Sequence, residues 1–176
     1  MRIISGKYKG RKLMFTTNKQ FRPTQDRVKE SVFNIINTQC KEALVLDAFA
    51  GSGSLGLEAL SRGAKHVVFI DKCIDYVKEN ISWIEEKEGI SFFKTSAISY
   101  LKKTDLKFDL IFLDPPWEEP HLFDHALKAI FDFDILKPNG IIVCEHKKKM
   151  IQFDTYNCVK QVTYGKKMIS LIKGPQ

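Results

Sequence analysis

The stretch DAFAGSGSLG, residues 47–56, decides the fold of this chain. It follows the apolar run 44–46 and leads into a helix-like stretch at 54–62, so Gly51, Gly53 and Gly56 have the G-x-G-x-x-G spacing between a strand and a helix. Glycines at these positions let the backbone turn tightly and approach a cofactor closely. The pattern by itself is equally typical of NAD and FAD sites.

Two carboxylates near this loop favour a cationic cofactor. Asp47 lies four residues before Gly51, and Asp71 ends the next apolar run, 24 positions after Asp47. A dinucleotide pyrophosphate needs positive surroundings, whereas S-adenosylmethionine carries an ammonium and a sulfonium that a carboxylate attracts. The spacing of Asp71 also suits an acceptor of ribose hydroxyls. The alternatives are that Asp47 only caps the loop and that Asp71 ends its strand without a ligand.

From residue 44 onward, apolar strands alternate with amphipathic helices. The predicted strands are 44–47, 66–71, 90–94, 108–113 and 140–145, and the predicted helices are 54–62, 74–87, 97–103 and 121–131. This alternation predicts an α/β fold in which a parallel sheet has helices on both faces and binds ligands beyond the carboxyl ends of its strands. Pro138-Asn139-Gly140 predicts a turn before the fifth strand. Two antiparallel strands, at 151–156 and 168–172, are expected to close the sheet around a turn at 164–166.

The tetrapeptide Asp114-Pro115-Pro116-Trp117 follows the apolar run 108–113 directly. Asp114 is therefore expected at the same sheet edge as Asp47 and Asp71, and the tetrapeptide beside the glycine loop. Because proline fixes φ and lacks an N–H, this backbone is stiff and its carbonyls point in a fixed direction. The Asp114 carboxylate and a proline carbonyl together can hold a planar amino group, and the Trp117 ring offers a stacking face for a nucleobase. The motif predicts methyl transfer to an exocyclic amino nitrogen, with Trp117 as a buried core residue as the alternative.

The segment before the glycine loop carries the charge of the protein. Residues 1–43 hold ten basic and three acidic residues and thereby the whole net charge of +7. The pattern at 3–15 predicts a basic β-hairpin that turns at Lys9-Gly10, and Thr24 is expected to cap an amphipathic helix from about Gln25 to Asn37. This asymmetry predicts a polyanion-binding surface, and a solubilising tail is the alternative. Lys147–Lys149 is predicted to be a solvated loop, and contact with RNA is the alternative.

Composition places the chain among ordinary globular proteins. At 176 residues it is expected to form a single domain, 1–176, with 1–40 as a basic extension. No apolar run is long enough to span a membrane and no apolar leader is present at the N-terminus, which predicts a cytoplasmic protein. Cys40, Cys73, Cys144 and Cys158 show no C-x-x-C spacing and are expected to be free thiols, Cys73 and Cys144 buried at strand ends. His121 and His125 alone make a poor zinc site, so no metal is expected.

These motifs together resemble the RsmD-type family of class I S-adenosylmethionine-dependent methyltransferases, which modify guanine N2 in 16S rRNA. The resemblance covers nearly the whole chain. It is carried by the opening segment 2–13, the signature RPTQDRVKE at 22–30, the glycine loop, the tetrapeptide, the stretch 136–146 and Tyr164-Gly165. The R-P-T signature is specific, because broader methyltransferases lack it.

The resemblance implies a Rossmann-like, mostly parallel sheet of seven strands with a closing antiparallel hairpin and an N-terminal extension of a hairpin and a helix. It implies S-adenosylmethionine as cofactor and 16S rRNA, or the assembling small ribosomal subunit, as partner of a monomeric enzyme. Catalysis is assigned to Asp114, Pro115, Pro116 and Trp117. Donor binding is assigned to Asp47, Ala48, Phe49, Ala50, Gly51, Ser52, Gly53, Asp71, Lys72, Ser96, Ala97 and Asp114. RNA binding is assigned to Arg2, Lys7, Lys9, Arg11, Lys12, Arg22, Thr24, Arg27 and Lys29.

Three positions depart from the family pattern. Ser96 replaces an Asp that accepts from the adenine amino group, and a neutral hydroxyl is the weaker acceptor. Asp71 replaces Glu, and Trp117 replaces Tyr or Phe. Three other functions remain open: a DNA amino-methyltransferase with the same D-P-P-W motif, a catalytically silent RNA-binding module, and an NAD enzyme, for which no hydride-relay residue is evident.

Overall fold

The computed structural model describes residues 1–15, 23–147 and 156–174, with the side chains of 23–25 left undescribed. Its helices are α1 (Pro23–Ile35), α2 (Ser54–Ser61), α3 (Asp75–Ile81), α4 (Ala97–Leu101) and α5 (His121–Asp132), and a short 3-10 helix spans Asn37–Gln39. Its strands are β1 (Leu44–Asp47), β2 (His66–Asp71), β3 (Ile90–Lys94), β4 (Phe108–Leu113), β5 (Leu136–Lys147), β6 (Cys158–Tyr164) and β7 (Lys167–Lys173). None of the described helices is long and apolar enough to cross a membrane.

The seven strands form one sheet in the order β3-β2-β1-β4-β5-β7-β6. The first five of these are parallel, and β7 runs antiparallel to both β5 and β6. This arrangement confirms the predicted Rossmann-like fold with a closing antiparallel hairpin. The strand order reverses between β1 and β4, and ligands of such sheets bind at the carboxyl ends beside this reversal.

Each face of the sheet carries its own hydrophobic core. On one face, Val67, Phe69 and Phe112 pack with residues of α1, α2 and α3. On the other, Val68 and Ile111 pack with residues of α4 and α5. Because both faces are covered, the central strands are continuous apolar runs, the pattern from which the parallel sheet was predicted.

The third glycine of the loop lets α2 approach the sheet. A Cβ atom at Gly56 would lie 2.3 Å from Cε1 of Phe69 on β2 and 2.9 Å from Cγ1 of Val67. No side chain fits in that space without moving the helix. Gly56 therefore serves the packing of helix on strand, whereas the first two glycines shape the loop itself.

The N-terminal segment differs from the predicted hairpin. An antiparallel bridge joins Arg2 to Lys12, but the chain between them is a broad turn over 5–10 instead of two strands meeting at Lys9-Gly10. The reason is that the intervening backbone amides bond to α2. The amides of Ile4 and Ser5 donate to the Glu58 carboxylate at 2.7 and 3.1 Å, and that of Tyr8 donates to Ser61 Oγ at 2.9 Å.

Several element boundaries also differ from prediction. Helix α1 begins at Pro23, so Thr24 lies inside its first turn and does not precede it as a cap. Helix α3 ends at Ile81, not at 87. Strand β5 begins at Leu136, and the predicted turn at 138–140 is a bulge within it, where the pairing shifts from Phe108–Leu136 to Leu110–Ile141. The penultimate strand is Cys158–Tyr164, while 151–155 of the predicted strand lie outside the described residues.

Lys147 belongs to β5, so the prediction of a solvated loop is wrong for this residue, while Lys148 and Lys149 lie outside the described part of the chain. All four cysteines are free thiols as predicted. Cys144 is buried, but Cys73 is exposed because it lies after the end of β2, in the connection to α3.

We expect Gly56→Ala to lower the free energy of unfolding by about 1–3 kcal/mol, because the added methyl group overpacks the interface with Phe69. Urea denaturation of the two proteins measures the difference. The double variant Gly56→Ala/Phe69→Leu should lose less than the sum of the two single changes, since the smaller side chain makes room for the methyl group. Additive losses would contradict this account of the glycine.

Candidate active site

A cavity of about 530 Å³ opens at the carboxyl ends of the central strands. The glycine loop and the tetrapeptide both line it, so the two motifs that the sequence predicted to meet lie side by side. The predicted residues in its wall are Asp47, Phe49, Ala50, Gly51, Ser52, Asp71, Asp114, Pro115, Pro116 and Trp117. Five other predicted donor residues do not line it, namely Ala48, Gly53, Lys72, Ser96 and Ala97.

Backbone conformation and hydrogen bonds fix the glycine loop above β1 and β2. Gly51 and Gly53 adopt φ values of 53° and 77°, which L-residues with side chains rarely do. The Ala50 amide donates to the Ile70 carbonyl at 3.0 Å, and the Gly53 amide donates to the Ala50 carbonyl at 2.6 Å. A Cβ atom at Gly51 would meet nothing within 4 Å, so this glycine is required by its conformation.

Asp47 is a buried carboxylate at the floor of the cavity. It is 2% exposed, and its Oδ2 accepts from the Gly56 amide at 2.9 Å, which joins the end of β1 to the first turn of α2. Burial raises the pKa of Asp47 to about 7, the Gly56 N–H opposes this rise, and the charge of Asp71 adds to it. Asp47 therefore caps the loop, as the alternative interpretation held, and also faces the cavity with a carboxyl group that titrates near neutral pH.

Asp71 ties the end of β2 to the glycine loop. Its Oδ2 accepts from the Gly51 amide at 2.8 Å, and its Oδ1 accepts from the Cys73 amide at 2.8 Å. Each carboxylate oxygen has a second lone-pair direction. The side chain can thus hold the loop and still accept from a ligand hydroxyl, so its ribose-binding role stays a prediction.

Ser96 is the N-cap of α4 and is bonded within its own turn. Its Oγ accepts from the Ser99 amide at 3.1 Å and lies 2.8 Å from Ser99 Oγ. Ala97 beside it is buried in the core. The predicted contact of Ser96 with adenine stays a prediction.

The tetrapeptide forms the opposite wall of the cavity. Pro115 is buried, whereas Asp114 and Trp117 are half-buried, so Trp117 is not the core residue of the alternative interpretation. The Pro116 carbonyl accepts from the Glu119 amide at 3.0 Å, which closes a turn immediately after the motif. Nζ of Lys147 and Nζ of Lys167 lie 5.1 and 5.5 Å from the centre of the Trp117 ring.

Comparison with known proteins decides the family. The family model described as "Conserved hypothetical protein 95" matches residues 1–173, almost the full length of the chain. The chain belongs to this family. It is the family of RsmD-type methyltransferases, so the resemblance inferred from the motifs is confirmed, together with the class I S-adenosylmethionine-dependent methyltransferase fold.

Relatives of the family match along most of their length. The Haemophilus influenzae protein named "Ribosomal RNA small subunit methyltransferase D" is 38% identical over 94% of this chain and 89% of its own. The protein of the same name from Escherichia coli K12 is 33% identical over 82% of this chain and 74% of its own. The solved structure of Escherichia coli yhhF superposes with a TM-score of 0.87 at 28% identity, covering 99% of this chain and 98% of the other.

Several wall residues of this RsmD-type site were missed by sequence reasoning. Val143 and Glu145 reach the cavity from β5, and Lys167 and Ile169 reach it from β7. Their positions depend on β7 lying next to β5, which no local pattern indicates. Met1 and Phe15 close the other side.

Asn80 holds the N-terminal segment against the glycine loop. This α3 side chain is 2% exposed, and its Nδ2 donates to the Met14 carbonyl at 2.7 Å and to the Ser52 carbonyl at 2.9 Å. Its Oδ1 accepts from the Met14 amide at 2.6 Å. In the sequence, Asn80 is one of several polar residues of its helix and gives no signal of this role.

Most of the basic residues assigned to RNA binding are exposed, namely Arg2, Lys7, Lys9, Arg11, Lys12 and Arg27. Arg11 lies over the Trp83 ring, 4.5 Å from its centre, and exposed Lys7 pairs with Glu86 at 3.4 Å. Arg22 and the side chain of Thr24 are outside the described part of the chain. His121 and His125 have ring centres 5.7 Å apart on α5, and no group of three metal-ligating side chains occurs among the described residues.

Lys29 corrects one prediction. It is only 5% exposed, so a surface contact with phosphate is wrong for this residue. Its Nζ donates to the Arg2 carbonyl at 2.6 Å and to Ser54 Oγ at 3.0 Å, and it lies 3.3 Å from Glu58 Oε2. Burial lowers the pKa of the Lys29 ammonium, and Glu58 opposes this.

Glu58 is a fully buried carboxylate that joins three parts of the protein. It pairs with Lys29 of α1 and with Arg62 at 2.8 Å, and it accepts from the amides of Ile4 and Ser5. These four contacts satisfy the buried Glu58 carboxylate, which would otherwise be an unpaired charge in the core.

We expect Glu58→Gln to lower the free energy of unfolding by about 3–5 kcal/mol, because it leaves the buried Lys29 ammonium and the Arg62 guanidinium without their counter-charge. Asp132→Asn, which removes one partner of the exposed Lys128–Asp132 ion pair, is the matched control and should change it by less than about 1 kcal/mol. Chemical denaturation measures both. Equal effects for the two variants would show that Glu58 is not an anchor.

Proposed function

We propose that this protein transfers a methyl group from S-adenosylmethionine to the exocyclic N2 of a guanine in the 16S rRNA of the small ribosomal subunit. The observation that carries the proposal is the shared cavity, in which a glycine loop flanked by carboxylates faces Asp114-Pro115-Pro116-Trp117. The family's relatives named ribosomal RNA small subunit methyltransferase D support rRNA as the substrate class.

The residues of the donor side fit a cationic cofactor of this size. The volume of about 530 Å³ lies within the range of small-molecule sites, roughly 300–1,000 Å³. Asp47 and Asp71 supply negative charge, and Gly51 keeps the backbone free of a side chain at the cavity wall. S-adenosylmethionine, when bound, supplies an electrophilic methyl group on a positively charged sulfur. Burial strengthens the attraction of both carboxylates for its cationic groups.

Asp114 and the Pro115 carbonyl orient the acceptor amine. The lone pair of a guanine amino nitrogen is delocalised into the ring, so the free amine is a poor nucleophile. Two fixed hydrogen-bond acceptors favour its pyramidal form and face the nitrogen as it gains positive charge. Asp114 need not be a strong base, because an alkylated nitrogen loses its proton readily. Positioning contributes most of the acceleration, up to about 7–11 kcal/mol in well-oriented cases.

The target base must leave its stack to reach this wall. Stacking on Trp117 then contributes about 1–3 kcal/mol. The enzyme acts as a monomer. The exposed basic residues of segment 1–40 bind phosphates of its RNA substrate, with an affinity that falls steeply with salt. Lys29 has no part in this surface, because its ammonium is buried.

We expect Asp114→Ala to lower kcat at least about a hundredfold while RNA affinity stays nearly unchanged, because the carboxylate acts on the reacting amine and not on the phosphates. The assay is methylation of unmodified small subunits with labelled donor, followed by identification of the labelled atom. Asp105→Ala, at an exposed carboxylate outside the cavity, is the control. Labelling of duplex DNA instead of rRNA would contradict the proposed substrate. Absence of methyl transfer by the wild-type protein would support the RNA-binding module instead of the enzyme.

Donor binding should strengthen as pH rises from about 6 to 8. Asp47, with its pKa raised from 3.8 to about 7, is partly protonated in the free protein, and a cationic donor favours the ionised form. Calorimetry at several pH values measures this, and Asp47→Asn, which keeps an oxygen for the Gly56 amide, should flatten the profile. The free energy of unfolding depends on pH in the opposite direction. Because the carboxyl pKa is raised in the folded state, Asp47 contributes stability that is present below about pH 4 and lost as pH rises through 7. An equal pH profile in both proteins would exclude Asp47 from donor binding.

A further inference from the structure

Two lysines flank the aromatic ring at the acceptor end of the cavity. The ammonium nitrogens of Lys147 and Lys167 are 5.1 and 5.5 Å from the centre of the Trp117 ring, within the roughly 6 Å over which a cation is attracted to an aromatic face. Both lie far along the chain from the basic N-terminal segment. They belong to the two strands that sequence reasoning did not connect with the site.

The pairing of these lysines is unfavourable for the sheet itself. Lys147 ends β5 and Lys167 begins β7, and the two are directly opposite each other in the antiparallel pair. Like charges in such positions destabilise a sheet. Glu145 forms an ion pair with Lys167, but no carboxylate of the described residues lies within 4 Å of Lys147 Nζ. Lys147 lies over the Trp117 ring, so a positive charge beyond the Glu145–Lys167 ion pair is held beside that ring.

The carboxylates at the cavity mouth give a positive charge beside Trp117 a role in binding RNA. Asp114, Glu118 and Glu145 all line the cavity, and carboxylates there disfavour a phosphate unless cations lie beside them. A nucleotide whose base enters the cavity brings its own phosphate to the mouth, because the two are parts of one unit. Cations next to the stacking ring offset the repulsion where that phosphate must lie.

We propose that Lys147 and Lys167 form a phosphate subsite that holds the target nucleotide while its base stacks on Trp117. The inference rests on the proposed function and adds to it the contact that anchors the flipped nucleotide. Its ligand is a phosphodiester of the RNA strand, bound next to the reacting base and apart from the N-terminal surface. The two lysines are positioning residues, since neither reaches the methyl group.

Lys147→Ala tests the subsite, with Lys173→Ala as the matched control. Lys173 is an exposed lysine at the opposite end of β7, where it pairs with Ile141. For Lys147→Ala, the KM for unmodified small subunits should rise roughly tenfold, as for the loss of a hydrogen bond to a charged group, with kcat within about twofold. The slope of log Kd against log salt for unmodified 16S rRNA should fall by about 0.7–0.9. S-adenosylmethionine affinity should stay unchanged, and Lys147→Arg should restore most of the KM.

The second lysine needs a separate design, because its removal also leaves Glu145 without a partner. The double variant Glu145→Gln/Lys167→Ala removes both charges, so that no new repulsion arises. It should keep a raised KM and a reduced salt slope relative to Glu145→Gln alone. If the double variant and Glu145→Gln bind the RNA with equal affinity, the proposal that two lysines form the subsite is overturned.

The outcomes separate this inference from the proposed function. If wild type and Lys147→Ala both methylate guanine N2 with the same KM and salt slope, the subsite is overturned and the function stands. If the label appears on another atom or nucleic acid, and Lys147→Ala still shows the reduced slope on that substrate, the subsite stands and the N2 assignment falls.

Discussion

The pairing of β1 with β4 is the constraint on which the site depends. Val45 lies opposite Leu110 and Asp47 opposite Phe112, and the Ala48 amide continues the pairing by donating to the Phe112 carbonyl at 3.2 Å. Because the two strands are parallel, both strands end at the same edge of the sheet. One continues into the glycine loop and the other into the tetrapeptide, so two motifs distant in sequence become facing walls of a crevice at the reversal of strand order.

Glu58 imposes a second constraint, on the segment before the sheet. It is a buried charge whose partners come from the opening turn, from α1 and from its own helix. A buried ion pair is weak evidence of stability in itself, but removal of one partner is costly, so the arrangement fixes a unique docking of the N-terminal segment. Gly6 is also required for this docking of the N-terminal segment on α2, because a Cβ atom there would lie 1.7 Å from the Ser61 carbonyl oxygen.

Sequence reasoning predicted the elements whose pattern is set by burial and missed those set by long-range contacts. The parallel strands β1, β2, β4 and β5 were found because strands covered on both faces are continuous apolar runs, and the meeting of Asp47, Asp71 and Asp114 followed from the shared strand edge. Lys29 was misplaced because helical periodicity does not reveal that Glu58 lies beneath it. Glu145 and Lys167 were missed because only the insertion of β7 beside β5 brings them to the cavity. Ser96 could be placed at a helix start, but its bond to Ser99 depends on the cap that forms there.

The hydrogen bonds of Asn80 have a consequence for how two ligands influence each other. One amide group holds both the backbone at Met14 and the loop at Ser52. A shift of the N-terminal segment at Met14 therefore strains the glycine loop at Ser52, and a shift of that loop strains the segment. If the donor and the RNA bind at these two places, the linkage is reciprocal: whatever factor the donor contributes to RNA affinity, the RNA contributes to donor affinity. Asn80 would then be a contact through which each ligand affects the affinity for the other.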